Sequence, residues 1–141
     1  MELLIFTDGG SRGNPGPAAI GGVAYVDQKE GMAAYDFSEY LGIGTNNEAE
    51  YTALFHALSW LRGYESLVDV SNVTCHLDSK LVVEQVNKNW KIKEPRMKAF
   101  AEKCWEILRN LPCEHKIIYV PRAENSVADS LVNQALDAQA K

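Results

Sequence analysis

The sequence predicts an α/β fold: a mixed five-stranded sheet, three antiparallel strands plus two parallel ones, flanked by helices. Three observations predict it. The first third of the chain reads as three β-rich runs in succession, the apolar period turns helical after Thr45, and from Val73 onward strands and helices alternate. Three leading strands suit an antiparallel meander, and the later alternation adds parallel strands beside it, in the order βββαβααβα. With no internal repeat, low-complexity segment or linker, residues 1–141 read as one domain.

The first strand runs from about Glu2 to Thr7 and is ended by Asp8-Gly9-Gly10. Gly9 to Pro17 is dense in Gly, Pro, Ser and Asn and reads as a loop without regular structure. Ala18 to Asp27 and Met32 to Gly42 read as two strands, joined by a hairpin turn at Lys29-Glu30-Gly31. Thr45-Asn46-Asn47-Glu48 fits a capping box, after which Ala49, Ala53, Leu54, Ala57, Leu58 and Leu61 recur at helical spacing up to a stop at Gly63. Val73 to Leu77 is a short strand, followed by a helix from about Ser79 to Val86. Pro95 suits the first turn of a helix running to about Leu111. His115 to Val120 is the fifth strand, ended by Pro121, and a last amphipathic helix carries Ala128, Leu131, Val132, Ala135 and Leu136.

Composition narrows the function classes. Hydrophobic residues make up 46% and charged residues 23%, an ordinary globular balance. No apolar run approaches the ~20 residues of a membrane span, so no membrane partner is expected. The N-terminus carries neither a basic leader nor a small-residue cleavage site and reads as a strand. Cys75, Cys104 and Cys113 are odd in number and widely spaced, which suits thiols in a reducing cytoplasm and argues against zinc. The net charge of −5 argues against nucleic acid as a partner, yet Lys88 to Lys103 holds six basic residues and two acidic ones, a local +4. A solvated helix face explains that stretch as well as a binding surface does.

Four acids occupy positions that invite a chemical reading. Asp8 ends the first strand on the side shared with Leu4 and Phe6, where a carboxylate is costly unless paired or bound to a cation. The alternative is a turn residue, since Asp-Gly starts turns readily. Asp78 repeats the pattern after Leu77, where it or Ser79 also suits a helix cap. Glu48 has a sufficient structural role as the fourth residue of the capping box. Glu50 has none, and it precedes Ala53, Leu54, Ala57 and Leu61 on the buried stripe. Asp129 admits a capping role through Ser126-Val127-Ala128-Asp129. Taken together, acids at strand ends and helix starts converge on one rim of the sheet. Their mutual repulsion calls for divalent cations, and all-oxygen ligands suit Mg²⁺ or Mn²⁺. Two such ions clamp the attacking and leaving oxygens of a phosphodiester.

The acids sit inside longer strings. Phe6-Thr7-Asp8-Gly9-Gly10-Ser11-Arg12-Gly13-Asn14-Pro15-Gly16-Pro17 resembles the opening motif of type 1 ribonucleases H, and Thr45-Asn46-Asn47-Glu48-Ala49-Glu50 resembles their TNNxxE helix start. Leu77-Asp78-Ser79 and Ala128-Asp129 before Leu131 are similar to the third and fourth motifs, so the resemblance spans nearly the whole chain in order. It implies the ribonuclease H-like fold, prokaryotic in type and without the basic protrusion. It further implies a metal-dependent endonuclease acting on the RNA strand of RNA–DNA hybrids and leaving 5′-phosphate and 3′-hydroxyl ends. Asp8, Glu50, Asp78 and Asp129 would be the catalytic metal ligands, for two Mg²⁺ or Mn²⁺ ions with substrate bound and Asp8 between them. Asn14, Asn46 and Asn47 align with minor-groove readers, where amides suit base edges and the 2′-hydroxyl. Thr45 aligns with a DNA-phosphate contact. Duplex RNA is a second candidate substrate, and no segment points to an obligate protein partner.

Three departures qualify the resemblance. The segment from Asn87 to Pro95 is too short for the basic, Trp-rich insertion of some members, so Trp90, Lys91 and Lys93 are either its remnant or, for Trp90, a core position. The loop histidine expected before the last aspartate is missing; Arg122 stands in that short loop, as a phosphate or product-release contact or as a solvated side chain. Lys80 replaces a minor-groove glutamine. His56 and His76 lie outside any motif and read as structural. The rival functions are a nuclease of the same superfamily acting on DNA, and a catalytically weak hybrid- or duplex-RNA-binding domain of the same fold.

Overall fold

A computed structural model describes residues 1–140. It contains β1 (Glu2–Ser11), β2 (Gly16–Val26), β3 (Met32–Gly44), α1 (Asn46–Arg62), β4 (Asn72–Leu77), α2 (Lys80–Val86), α3 (Pro95–Arg109), β5 (Glu114–Tyr119) and α4 (Ser126–Ala140), with 3₁₀ turns at Leu67–Asp69 and Arg122–Asn125. The sheet order is β3-β2-β1-β4-β5. β1 and β2, and β2 and β3, pair antiparallel, whereas β1 and β4, and β4 and β5, pair parallel. The mixed five-stranded architecture is the one expected.

Side-chain alternation along β1 divides the core into two layers. Leu3 and Ile5 pack with Leu54, Leu58 and Leu61 of α1 and with Val82, Ala101 and Ile107 of α2 and α3. Phe6 faces the opposite way, with Val23, Tyr25 and Ala128, and next to it Ala19 meets Val132, Ala135 and Leu136 of α4. Burying one such Leu or Ile contributes about 1.5–3 kcal/mol. Cys75 and Cys104 are buried free thiols in the larger layer, and Cys113 is half-buried.

The expected loop from Gly9 to Pro17 is the main correction. β1 continues through Gly9, Gly10 and Ser11, which pair with Ile20, Ala19 and Ala18, and β2 already begins at Gly16. Asp8 therefore lies inside a strand and not at its end. The glycines there are clearance for a helix rather than strand breakers. A Cβ on Gly9 would stand 2.3 Å from the carbonyl carbon and oxygen of Ala49, and one on Gly21 would stand 2.6 Å from the oxygen of Ala128. α1 and α4 thus sit directly on β1 and β2, and each carries one of the predicted carboxylates. Gly9→Ala should cost about 1–3 kcal/mol by forcing α1 off the sheet. Denaturant titration checks this, and unchanged stability would show that the approach is not tight.

Trp90 is not a core residue. It is 44% exposed and borders a groove with Lys88, Lys91, Lys98 and Trp105. The histidines have structural surroundings: the Nδ1 edge of His76 meets the Ile5 carbonyl at 2.9 Å and its ring stacks on Phe6, while His56 meets the Tyr35 hydroxyl at 2.9 Å. No helix among the described residues is long and apolar enough to cross a membrane.

Candidate active site

The site forms where β1 and β4 part. Thr7 and Leu77 are the last residues that pair β1 with β4, so Asp8, still paired with Gly21 of β2, and Asp78 follow them where those two strands diverge. α1 brings the third carboxylate. Its start is fixed by a complete capping box, in which Thr45 Oγ1 accepts from the Glu48 N–H and Glu48 Oε1 accepts from the Thr45 N–H, both at 3.1 Å. Glu48 also receives the Arg96 guanidinium. Two residues later, roughly 200° around the helix, Glu50 faces the sheet. Its Oε1 accepts from the Gly9 N–H at 3.3 Å. Carboxylate oxygens of Asp8, Glu50 and Asp78 all lie within 4.8 Å of one another.

Burial makes this cluster electrostatically unusual. Asp8 and Glu50 are each only 6% exposed. Desolvation pushes the Asp8 carboxyl up to about 7; the nearby Glu50 carboxyl opposes this, and the charges of Asp78 and Asp129 push the same way as burial. Glu50 is also raised well above the usual carboxylate range, by burial first and then by the neighbouring Asp8. Among the described residues, Glu50 Oε2 is buried without a hydrogen-bond partner. Such an oxygen beside two further carboxylates asks for a proton or a cation. The all-oxygen donor set fits a hard divalent ion such as Mg²⁺ or Mn²⁺ and does not suit zinc.

Asp129 lies on the same cleft, about 470 Å³ in volume, but outside the three-carboxylate cluster. Its oxygens accept from Arg122 Nη2 at 3.2 Å and Asn133 Nδ2 at 3.4 Å. The alternative capping role fails at Ser126, whose φ of −63° and ψ of −35° are already helical. An N-cap needs extended backbone. The 3₁₀ turn at Arg122–Asn125 instead runs straight into α4.

The other sequence-picked residues are spread along the cleft and beside it. Asn14 Oδ1 accepts from the Asn46 N–H at 3.0 Å, and Asn46 Oδ1 accepts from the Ser11 N–H at 2.8 Å. These bonds tie residues 11–14 to the start of α1. Asn46 and Asn47 line the main cleft, and Asn14 and Thr45 line an adjoining groove of about 410 Å³ with Arg96. Arg122, with its side chain 78% exposed, also borders the cleft. Lys80 opens α2, its Nζ 5.6 Å from the centre of the Tyr119 ring. Sequence reasoning passed over Asn133 and Arg12. The signal for Asn133 was its place one helical turn after Asp129. Arg12 pairs with Asp137 at 2.6 Å across the cleft wall and had no readable signal.

Comparison with known proteins bears on this geometry. A family model described as reverse transcriptase-like matches residues 6–135. The chain is similar to the bifunctional protein Rv2228c of Mycobacterium tuberculosis, 37% identical over 100% of this chain, of which it spans only 37%. It is also similar to the ribonuclease HI of Halobacterium salinarum, 38% identical over 96% of this chain and 65% of that protein. Among solved structures it superposes on LC11-RNase H1, from compost, in complex with an RNA/DNA hybrid, with a TM-score of 0.90, 37% identity and 99% of both chains covered.

Proposed function

The chain belongs to the ribonuclease H family, and from that premise we propose that it is an endonuclease that hydrolyses the RNA strand of RNA–DNA hybrids, leaving 5′-phosphate and 3′-hydroxyl ends. The observation that carries this reading is the convergence of Asp8, Glu50 and Asp78 within 4.8 Å, in a cleft that also contains Asp129. The four carboxylates are the residues that would hold Mg²⁺ or Mn²⁺, two ions per site with substrate present. When bound, the ions neutralise the carboxylates and stabilise charge on the attacking and leaving oxygens of the phosphodiester.

The chain's own residues orient the reactants. The Gly9 N–H holds one oxygen of Glu50 and leaves the other turned to the cluster. Asn14, Asn46 and Asn47 are the proposed readers of the hybrid minor groove, with Thr45 against a DNA phosphate. Amide groups donate and accept, which is what the 2′-hydroxyl demands. Arg122 on the cleft, and Lys80 beside the cleft residue Tyr119, are the proposed sources of positive charge for the hybrid's backbone. Binding through few phosphate contacts should weaken as salt rises.

The test is cleavage of a labelled RNA–DNA hybrid with Mg²⁺ or Mn²⁺, beside EDTA, duplex DNA and duplex RNA. Metal-dependent cutting of the RNA strand of the hybrid is expected, and duplex RNA is the next best substrate. Cutting of duplex DNA in preference would overturn the substrate assignment. Tight hybrid binding without cutting would instead favour a binding domain of the same fold.

A further inference from the structure

Asn125 is the most deeply buried amide of the protein, 1% exposed, in the 3₁₀ turn between β5 and α4. Its Nδ2 donates to the Thr7 carbonyl at 2.8 Å. Among the described residues its Oδ1 is buried without a partner. A buried amide left half satisfied costs roughly 1–3 kcal/mol, so packing alone would favour an apolar side chain here. The bond it makes falls at a particular place. Thr7 immediately precedes Asp8, Thr7 is the ladder partner of Leu77, which immediately precedes Asp78, and Asn125 precedes Asp129 by four residues. One hydrogen bond therefore joins the backbone beside two of the carboxylates to the start of the helix that carries a third.

A second contact holds the same turn from outside. Lys29, in the hairpin between β2 and β3, donates from Nζ to the Glu124 carbonyl at 3.1 Å. Asn133 and Arg122 hold the Asp129 carboxylate but come from the same turn and helix. Asn133 reaches the end of β1 only through the exposed Arg12, whose Nη2 donates to Asn133 Oδ1 at 3.5 Å, whereas Asn125 bonds the β1 backbone directly and at 2.8 Å.

We propose that Asn125 is a positioning residue that sets the place of Asp129 relative to Asp8 and Asp78, with Lys29 as its outer support. The inference rests on the proposed assignment of those carboxylates as metal ligands. Outer-shell partners of this kind change metal affinity or activity by about 10–100-fold. Asn125→Ala removes the donor, and Asn125→Asp keeps the shape but turns an acceptor toward the Thr7 carbonyl.

The experiment reads Mn²⁺ binding to the hybrid-free protein from the rise in melting temperature with Mn²⁺ concentration. Alongside it, kcat and KM are measured on the RNA–DNA hybrid at a temperature well below melting. Both Asn125 variants should raise the Mn²⁺ half-point about tenfold and lower kcat by a similar factor, with KM for the hybrid within about twofold of wild type. A lowered melting temperature with the Mn²⁺ half-point and kcat unchanged would show a merely structural residue and overturn the proposal. Should the Asn125 variants not fold, Lys29→Met decides: its half-point should rise about twofold, as for loss of one exposed hydrogen bond, and no rise would overturn the proposal. A wild-type protein that binds Mn²⁺ but does not cut the hybrid would refute the proposed reaction while leaving the Mn²⁺ comparison intact.

Discussion

Glu50→Gln should abolish the proposed cleavage of the hybrid, whereas Glu48→Gln should leave most of it. The two acids are two residues apart on one helix and differ only in where the helix points them. Glu50 places one oxygen on the Gly9 N–H and leaves the other buried beside Asp8. An amide there would keep the shape and remove the charge proposed to hold a divalent ion. A loss of about a thousandfold or more in kcat is expected, equivalent to about 4 kcal/mol of transition-state stabilisation. Glu48 closes the capping box and meets the largely exposed Arg96. Gln can still accept from the Thr45 N–H, so the cost is about 1 kcal/mol or less of stability. Single-turnover kinetics and melting curves on both variants check the pair. Equal losses of activity would mean that the helix start, and not Glu50, supports the reaction.

Asp8→Asn should make the metal-free protein more stable at pH 8. Burial holds the Asp8 carboxyl protonated up to about 7 in the folded chain, against about 4 when unfolded. Between those values the native state binds more protons than the unfolded state, so stability falls as pH rises. The contribution is intact below about pH 4 and lost above about 7. A difference of about three units corresponds to ~4 kcal/mol, and proton sharing with Glu50 reduces what Asp8 alone recovers. A gain of about 2–4 kcal/mol at pH 8 in EDTA is expected, or roughly 5–15 °C in Tm. That gain should vanish toward pH 4, and added Mg²⁺ should narrow it by stabilising wild type alone. Melting curves from pH 4 to 8 test this. A pH-independent difference, or a less stable variant, would remove the case for repulsion in the cluster.

Local rules made Glu50 legible and left Asp129 half read. Helical spacing alone separated Glu50 from Glu48, because the capping box and the buried stripe are both written within a few turns. The alternation of β1 likewise gave the side on which Asp8 lies. It did not give the length of β1, because Gly9 and Gly10 look like breakers until Ala49 is seen lying over Gly9. The place of Asp129 depends on contacts between the 3₁₀ turn and β1, more than a hundred residues apart in the chain, and no local pattern encodes them. The same holds for Trp90, whose 44% exposure goes with a place on the rim of a groove shared with Lys98 and Trp105 of α3.

The central position of β1 also bears on the order in which the molecule assembles. β1, β2 and β3 are joined by short turns and can pair as soon as they are made, whereas Leu3 meets Val73 only after some seventy residues of intervening chain. Closing that longer loop comes at a greater entropic cost, so the β1–β4 pairing follows the meander. On that order, Asp8 and Asp78 would come together only in the later step. The cost of burying and crowding them should then accelerate unfolding without slowing folding. Divalent ions, which engage the finished cluster, would lengthen the lifetime of the native state more than they hasten its formation.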